Sequence, residues 1–291
     1  MKKKPYKTDY VISKDGTIIG FRQIGQGDGV ILVHGSMMAS HDLMNLACLL
    51  SNDFAVYIPD RRGRGLSGSH GNNYSLIKES EDIQALVDKT GARNIFGLSS
   101  GANVALHAAL ITPNILKVCL YEPPLSDISS TSYLRDREFD NEIDKLIVQG
   151  KLGKALVTLI KASRESAIIN LLPGFILEPF MTFAIKLQAK HIKGDDVPIL
   201  ALIPTIRYDS KLEIETEGQL ESYKSLQVKV LLLGGSKSDT DIKTALNRLN
   251  MVLPNVSRIE LSGIGHSAPT NFGKPEFIAR ELQLFFKDSK Q

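Results

Sequence analysis

The segment Asn94-Ile-Phe-Gly97-Leu98-Ser99-Ser100-Gly101-Ala102 carries the strongest chemical signal in the chain. Ser99 has a glycine two residues before it and another two residues after it, where a strand-like apolar run gives way to a helical one. A sharp strand-to-helix turn crowds those flanking positions, so both must be small. Such a turn lifts the serine hydroxyl into a cleft, while the helix start aims free backbone N–H groups at developing negative charge. The chemistry served would be nucleophilic attack on a carbonyl. The plainer alternative is a Gly/Ser turn in which Ser99 only caps a helix.

Two other segments join this one in purpose. Val30-Ile-Leu-Val-His34-Gly35-Ser36-Met37 is a buried-strand run ending in a His-Gly turn, which can set a backbone N–H opposite the elbow as an oxyanion donor. The His34 side chain itself is expected to be structural. Leu261-Ser-Gly-Ile-Gly-His266 lies after the last predicted strand and before the last predicted helix. A loop histidine alone means little, but with the elbow it becomes a candidate base, serine first and histidine last in chain order.

These residues need a scaffold. A hairpin is predicted around Asp15-Gly16, followed by short apolar strands at 30–33, 54–58, 94–98 and 117–121. Helical stretches fall near 42–50, 75–90 and 102–111. That alternation predicts a mainly parallel sheet covered on both faces. From about Asp127 to Asp209 helical periodicity continues with little strand signal. Strand and helix then alternate again at 228–233, 242–252, 257–261 and 275–286. One α/β domain interrupted by a helical insertion accounts for this, since neither flank completes a sheet alone. The boundaries read as 1–125 and 211–291 for the core and 126–210 for the insertion. Arg207, Tyr208 and Asp209, at the insertion's return, could face the cleft.

Composition narrows the function classes. In 291 residues, 43% are hydrophobic and 23% charged, which excludes disorder, collagen and coiled coil for the whole chain. A net charge of +3 gives no support to a polyanionic partner, so no nucleic acid is expected. Cys48 and Cys119 sit in apolar runs without metal-ligand spacing and read as small buried hydrophobes. No metal or organic cofactor is expected. Gly25-Gln-Gly-Asp-Gly29 precedes a strand rather than opening a helix, and so lacks the context of a dinucleotide fingerprint. With no apolar stretch behind the N-terminal lysines and no run near the ~18 residues that span a bilayer, the expectation is a cytoplasmic protein without membrane contact. A monomer and a homodimer fit equally.

Taken in order, Val-His34-Gly35-Ser36, Asp60-Arg-Arg62-Gly63-Arg-Gly65-Leu-Ser67, Gly97-Leu-Ser99-Ser-Gly101, Tyr121-Glu122-Pro-Pro, Leu233-Gly-Gly-Ser-Lys-Ser-Asp239 and Gly265-His266 resemble the α/β-hydrolase fold superfamily. Within it the chain is similar to cap-bearing, esterase-like serine hydrolases. The resemblance spans about residues 15 to 287. It implies a mostly parallel eight-stranded sheet with an inserted helical cap. It further implies Ser99 as nucleophile, His266 as general base, and the backbone N–H groups of Ser36 or Met37 and of Ser100 as the oxyanion hole. Arginines of the Asp60–Gly68 loop are expected to brace that loop. The cap residues Phe175, Phe180 and Met181, with Met38, are expected to line a hydrophobic substrate pocket.

For the third triad member the chain departs from the commoner pattern, an acid three residues past a glycine on the strand after the cap. Three beyond Gly234 is Lys237 and three beyond Gly235 is Ser238. Asp239, one residue later, is the first choice. Glu122, at the end of the strand after the elbow helix, is the rival. The implied activity is carboxylesterase-like hydrolysis of a small ester, thioester, lactone or similar carbonyl substrate through an acyl-enzyme. C–C bond hydrolysis, cofactor-free perhydrolysis and a ligand sensor on a hydrolase scaffold are the alternatives.

Overall fold

Short apolar runs bounded by turns become strands here because both of their faces are covered. The computed structural model describes residues 5–125, 133–163 and 171–287. Its strands are β1 (Lys7–Ile12), β2 (Ile18–Ile24), β3 (Asp28–Val33), β4 (Phe54–Pro59), β5 (Asn94–Leu98), β6 (Lys117–Tyr121), β7 (Lys229–Gly235) and β8 (Val256–Leu261). They form one sheet in the order β1-β2-β4-β3-β5-β6-β7-β8. Only the pairings of β2 with β1 and β4 are antiparallel. The first hairpin turns at Gly16, whose φ of 85° suits a residue without a side chain.

Side chains alternate along each central strand between two cores. Ile31, Val33, Ile95, Val118, Leu120, Val230 and Leu232 pack with helices α2 (Leu76–Thr90) and α3 (Ser100–Ile111). Their neighbours Val30, Leu32, Phe96, Leu98, Cys119, Tyr121, Leu231 and Leu233 face the opposite way. They meet α1 (Met44–Leu50) and the C-terminal helix Pro275–Lys287. Both cysteines are buried, unpaired members of that second core, as their apolar surroundings predict.

Between β6 and β7 the described chain is helical: α4 (Tyr133–Val148), α5 (Leu152–Ser163), α6 (Gly174–Lys190), a single turn at Ile199–Leu202, and α7 (Ile206–Glu215). Leu146, Ala155, Leu156, Ile185 and Ile203 make a small separate core for this insert. Met37, from the loop after β3, packs against it. Leu212 of α7 has already rejoined the main core. The helices α8 (Thr240–Val252) and α9 (Pro275–Lys287) complete the chain. Among the described residues, no helix is long and apolar enough to cross a membrane.

The loop after β4 is held by buried ions, as its arginines suggest. Arg62, 1% exposed, donates to both oxygens of Asp82 at 2.6 Å and to both of Asp15 at 2.7 and 3.0 Å. It thereby pins the first hairpin to α2. Burial pushes the Asp82 carboxyl up to about 6 against the pull of Arg62, while Arg62 holds the more exposed Asp15 well below its ordinary range. Removing one partner of a buried pair strands the other charge. Arg62→Ala is therefore expected to cost about 3–5 kcal/mol, read as a lower midpoint in urea unfolding.

Candidate active site

β5 ends at Leu98 and α3 begins at Ser100, so Ser99 alone makes the turn. Its φ and ψ, 54° and −126°, are rare for a residue with a side chain. Sterics enforce this. A Cβ on Gly97 would lie 2.5 Å from the Ala102 Cα and from the Gly101 carbonyl oxygen. One on Gly101 would strike the His34 carbonyl and lie 2.5 Å from that of Val33. The Ser99 N–H donates to the Tyr121 carbonyl at 2.9 Å, and Ser99 accepts from the Ala102 N–H at 2.7 Å. Its side chain makes no cap hydrogen bond, which removes the helix-capping reading.

Strand register sets the neighbours. Val33 pairs with Gly97, Leu98 with Tyr121, and Tyr121 with Leu233, so the loops leaving β3, β5, β6 and β7 emerge side by side. Glu122, just past β6, is fully buried. Its backbone N–H donates to the Leu233 carbonyl at 3.1 Å. Oε1 accepts from the Gly235 N–H at 2.6 Å and from the Ser238 hydroxyl. Oε2 accepts from His266 Nδ1 at 2.7 Å. A proton on Nδ1 leaves Nε2 of the neutral ring unprotonated and basic. The His266 loop is pinned from two sides: the Tyr121 hydroxyl donates to the Gly265 carbonyl at 2.7 Å, and the Lys237 N–H to that of Ile264 at 2.9 Å.

The loop after β3 runs against the elbow. A Cβ on Gly35 would lie 3.1 Å from the Ser99 Cβ. Met37, two residues on, has φ 52°. Among the described residues, Met37, Ser99 and Glu122 are the non-glycine residues with positive φ. Such conformations cost on the order of 1–3 kcal/mol each and cluster where geometry serves function. All three lie at the carboxyl end of the sheet, in the loops that meet there.

Comparison with known proteins agrees with this architecture. The model of the alpha/beta hydrolase family matches residues 30–281, most of the chain. The chain belongs to the alpha/beta hydrolase family. A solved alpha/beta hydrolase from Sphaerobacter thermophilus is 26% identical, with a TM-score of 0.73 over 96% of this chain and all of that one. Two curated relatives match over shorter stretches. A cis-3-alkyl-4-alkyloxetan-2-one decarboxylase of Shewanella oneidensis is 30% identical over 92 residues, 31% of this chain and 29% of that protein. An N-formylmaleamate deformylase of Pseudomonas putida is 32% identical over 113 residues, 38% and 42% respectively. The matched stretches thus cover less than half of either curated relative.

Within this hydrolase fold, the expected site residues divide. Ser99, His266 and Glu122 stand in the adjoining loops described above. Asp239 stands apart from this group: it is exposed and caps α8, accepting from the Asp241 N–H at 3.1 Å. The physical reason lies in the sheet. Glu122 leaves β6 level with the end of β7, where the Gly235 N–H can hold it under the histidine ring. Met38 packs on the core beside α1 and α9. Met181 packs into the small core of the insert. Phe175 and Phe180 are 78% and 64% exposed. His34 is wholly buried, and burial with Arg64 and Arg61 nearby holds it well below its usual pKa. Nδ1 donates to the Gly35 carbonyl at 3.0 Å and Nε2 accepts the Arg61 N–H at 3.1 Å, so it is a neutral brace, as expected.

Three residues at the insert's return go separate ways. Arg207 pairs with Asp144 at 2.8 Å and Tyr208 stacks on His70 at 3.5 Å. Asp209 lies buried behind the elbow, paired with Arg61 at 2.7 Å and Arg64 at 2.5 Å. Arg61 in turn donates to both oxygens of Glu79. The sequence signal for this network was three arginines within four positions of one loop, since buried guanidiniums demand carboxylates. Burial alone would raise the Asp209 carboxyl, but Arg64, Arg61 and the Ser100 hydroxyl outweigh it and bring it down to about 2. A lowered folded-state pKa contributes stability that is full above the ordinary value of 3.8 and disappears as pH falls through about 2. Between those limits the wild type should lose about 2 kcal/mol that Asp209→Asn does not, measured by urea unfolding across the acid range.

Proposed function

We propose that the chain is a serine hydrolase of small ester, thioester, lactone or comparable carbonyl substrates. The observation that carries this reading is the 2.7 Å hydrogen bond from His266 Nδ1 to buried Glu122, beside an elbow serine whose hydroxyl caps nothing. In the reaction, His266 Nε2 takes the Ser99 proton as Oγ attacks the carbonyl carbon. Negative charge collects on the carbonyl oxygen. The backbone N–H groups of Ser100 and of Ser36 or Met37 receive it. Glu122 stabilises the imidazolium, which then protonates the leaving group, and water repeats the sequence on the acyl-enzyme.

A carboxylate at the elbow would instead form an alkyl-ester intermediate; Ser99 supports acyl transfer. The curated relatives agree with a carbonyl substrate, being named for an oxetan-2-one and an N-formyl compound. The helical insert supplies an apolar wall in this reading, with Met37 and Met181 both packed on its small core.

A fluorophosphonate probe should label Ser99, and Ser99→Ala should abolish both labelling and p-nitrophenyl ester turnover. The loss in turnover is expected to be about a million-fold, as for a triad nucleophile elsewhere, and His266→Ala should lose on the same scale. Near-wild-type turnover in a pure Ser99→Ala preparation would end the assignment.

The acid is tested separately. A misheld histidine costs roughly ten-thousand-fold in a related triad, so Glu122→Gln should collapse kcat while Asp239→Asn stays within about threefold, the cap costing stability only. The reverse ranking would return the role to Asp239.

A further inference from the structure

One buried carboxylate meets Ser36 and Ser100, the two serines among the proposed oxyanion-hole residues. Asp209, 4% exposed, comes from α7, on the return from the helical insert. Its Oδ2 accepts the Ser36 hydroxyl at 3.0 Å and Arg64 Nη2 at 2.5 Å. Its Oδ1 accepts the Ser100 hydroxyl at 2.9 Å and Arg61 Nη1 at 2.7 Å. Each oxygen therefore carries one hydroxyl and one guanidinium. Arg61 Nη1 closes the group by also donating to Ser100 Oγ at 3.0 Å.

We infer that Asp209 is a positioning residue for the oxyanion hole, locking the Ser36 loop and the Ser100 helix start at a fixed separation through their side chains. The inference rests on the serine-hydrolase reading above. Ser36 belongs to the loop after β3 and Ser100 to the elbow. The described hydrogen bonds give each side chain Asp209 as an acceptor, while their main-chain N–H groups stay available for substrate. The loop has particular need of such a lock, since Met37 next to Ser36 is held at φ 52°. A negative charge so near a developing oxyanion would oppose catalysis if it stood alone. The two guanidiniums neutralise it, so the carboxylate contributes geometry without repulsion. Because α7 closes the insert, the insert's seating and the hole's geometry become one mechanical unit.

The test follows phosphonylation of Ser99 by a small alkyl fluorophosphonate, whose P–O oxygen would occupy the oxyanion hole. Saturation kinetics separate probe affinity (KI) from reaction (kinact). Ser36→Ala and the double variant S36A/S100A keep every buried ion pair, so their melting temperatures should stay close to wild type. A donor displaced by a fraction of an ångström is expected to cost kinact at least about tenfold in S36A and about a hundredfold in the double variant, with KI within about threefold. Asp209→Asn added to the double variant should lower kinact little further, since its effect passes through those hydroxyls. If that variant fails to fold, the first two decide alone. Reaction at the wild-type rate in both, or a loss confined to KI, overturns the inference and leaves the serine-hydrolase reading standing. Wild-type protein that is not labelled at Ser99 overturns that reading and the inference with it.

Discussion

The close approach of α3 to β3 and β5 is the constraint on which the rest of the molecule turns. At Gly97 and Gly101 the backbones come so near that a single methyl group would collide with main-chain atoms. The helix can follow the strand at that separation only through one residue, and that residue must adopt positive φ. Ser99 does so, held by a hydrogen bond to the Tyr121 carbonyl. Strain there is offset by the packing on either side: Ile95 before the turn and Ala102, Val104, Ala105 and Leu106 after it are buried in the core. The hydroxyl is left outside the helix rather than folded over its first turn. The placement of this hydroxyl is thus a consequence of sterics.

Charge burial supplies the second layer of order. Arg61, Arg62 and Arg64 are at most 2% exposed, and taking guanidiniums out of water is costly unless each finds carboxylates. They find Glu79, Asp82, Asp15 and Asp209, drawn from α2, the first hairpin and α7. A hydrophobic core of the same volume could tolerate small shifts of those elements. Buried ion pairs cannot, because a displaced partner leaves an unpaired charge in low dielectric. The loop after β4 therefore acts as a gauge, setting how α2, the hairpin and the insert's return stand relative to the elbow.

Much of this was legible in the sequence, and the rest was not for identifiable reasons. Apolar runs such as Val30–Val33 and Asn94–Leu98 read as strands because local pattern and tertiary burial agree. The elbow was legible for a related reason: glycine at 97 and 101 records a close approach directly. A mostly parallel sheet of eight strands followed from the resemblance and matches the sheet observed. The residues around the insert are a different case. Phe175 and Phe180 lie in one apolar helical stretch, yet an apolar sequence alone cannot say whether a side chain meets a core or water, and both are exposed. Asp209 could be noticed as a polar residue near the return of the chain. Its partners lie in loops more than a hundred residues away, and no local pattern encodes them.

In the proposed triad, the place of the acid shows how a sheet separates chemistry from chain position. The commoner family pattern counts three residues from a glycine on the strand after the cap, and that count from Gly235, the last residue of β7, arrives at Ser238. Ser238 stands beside Glu122, as a hydroxyl donor to it. β6 and β7 are adjacent and in register, so an acid at the end of either can reach the space beneath the same histidine. Only the donor and acceptor exchange strands: with the carboxylate on β6, the β7 side must present hydrogens, and Gly235 N–H and Ser238 Oγ–H do so. A carboxylate at residue 238 facing Glu122 would put two negative charges against each other in a buried space. A serine there suits the buried Glu122 carboxylate, and the aspartate one residue later caps α8.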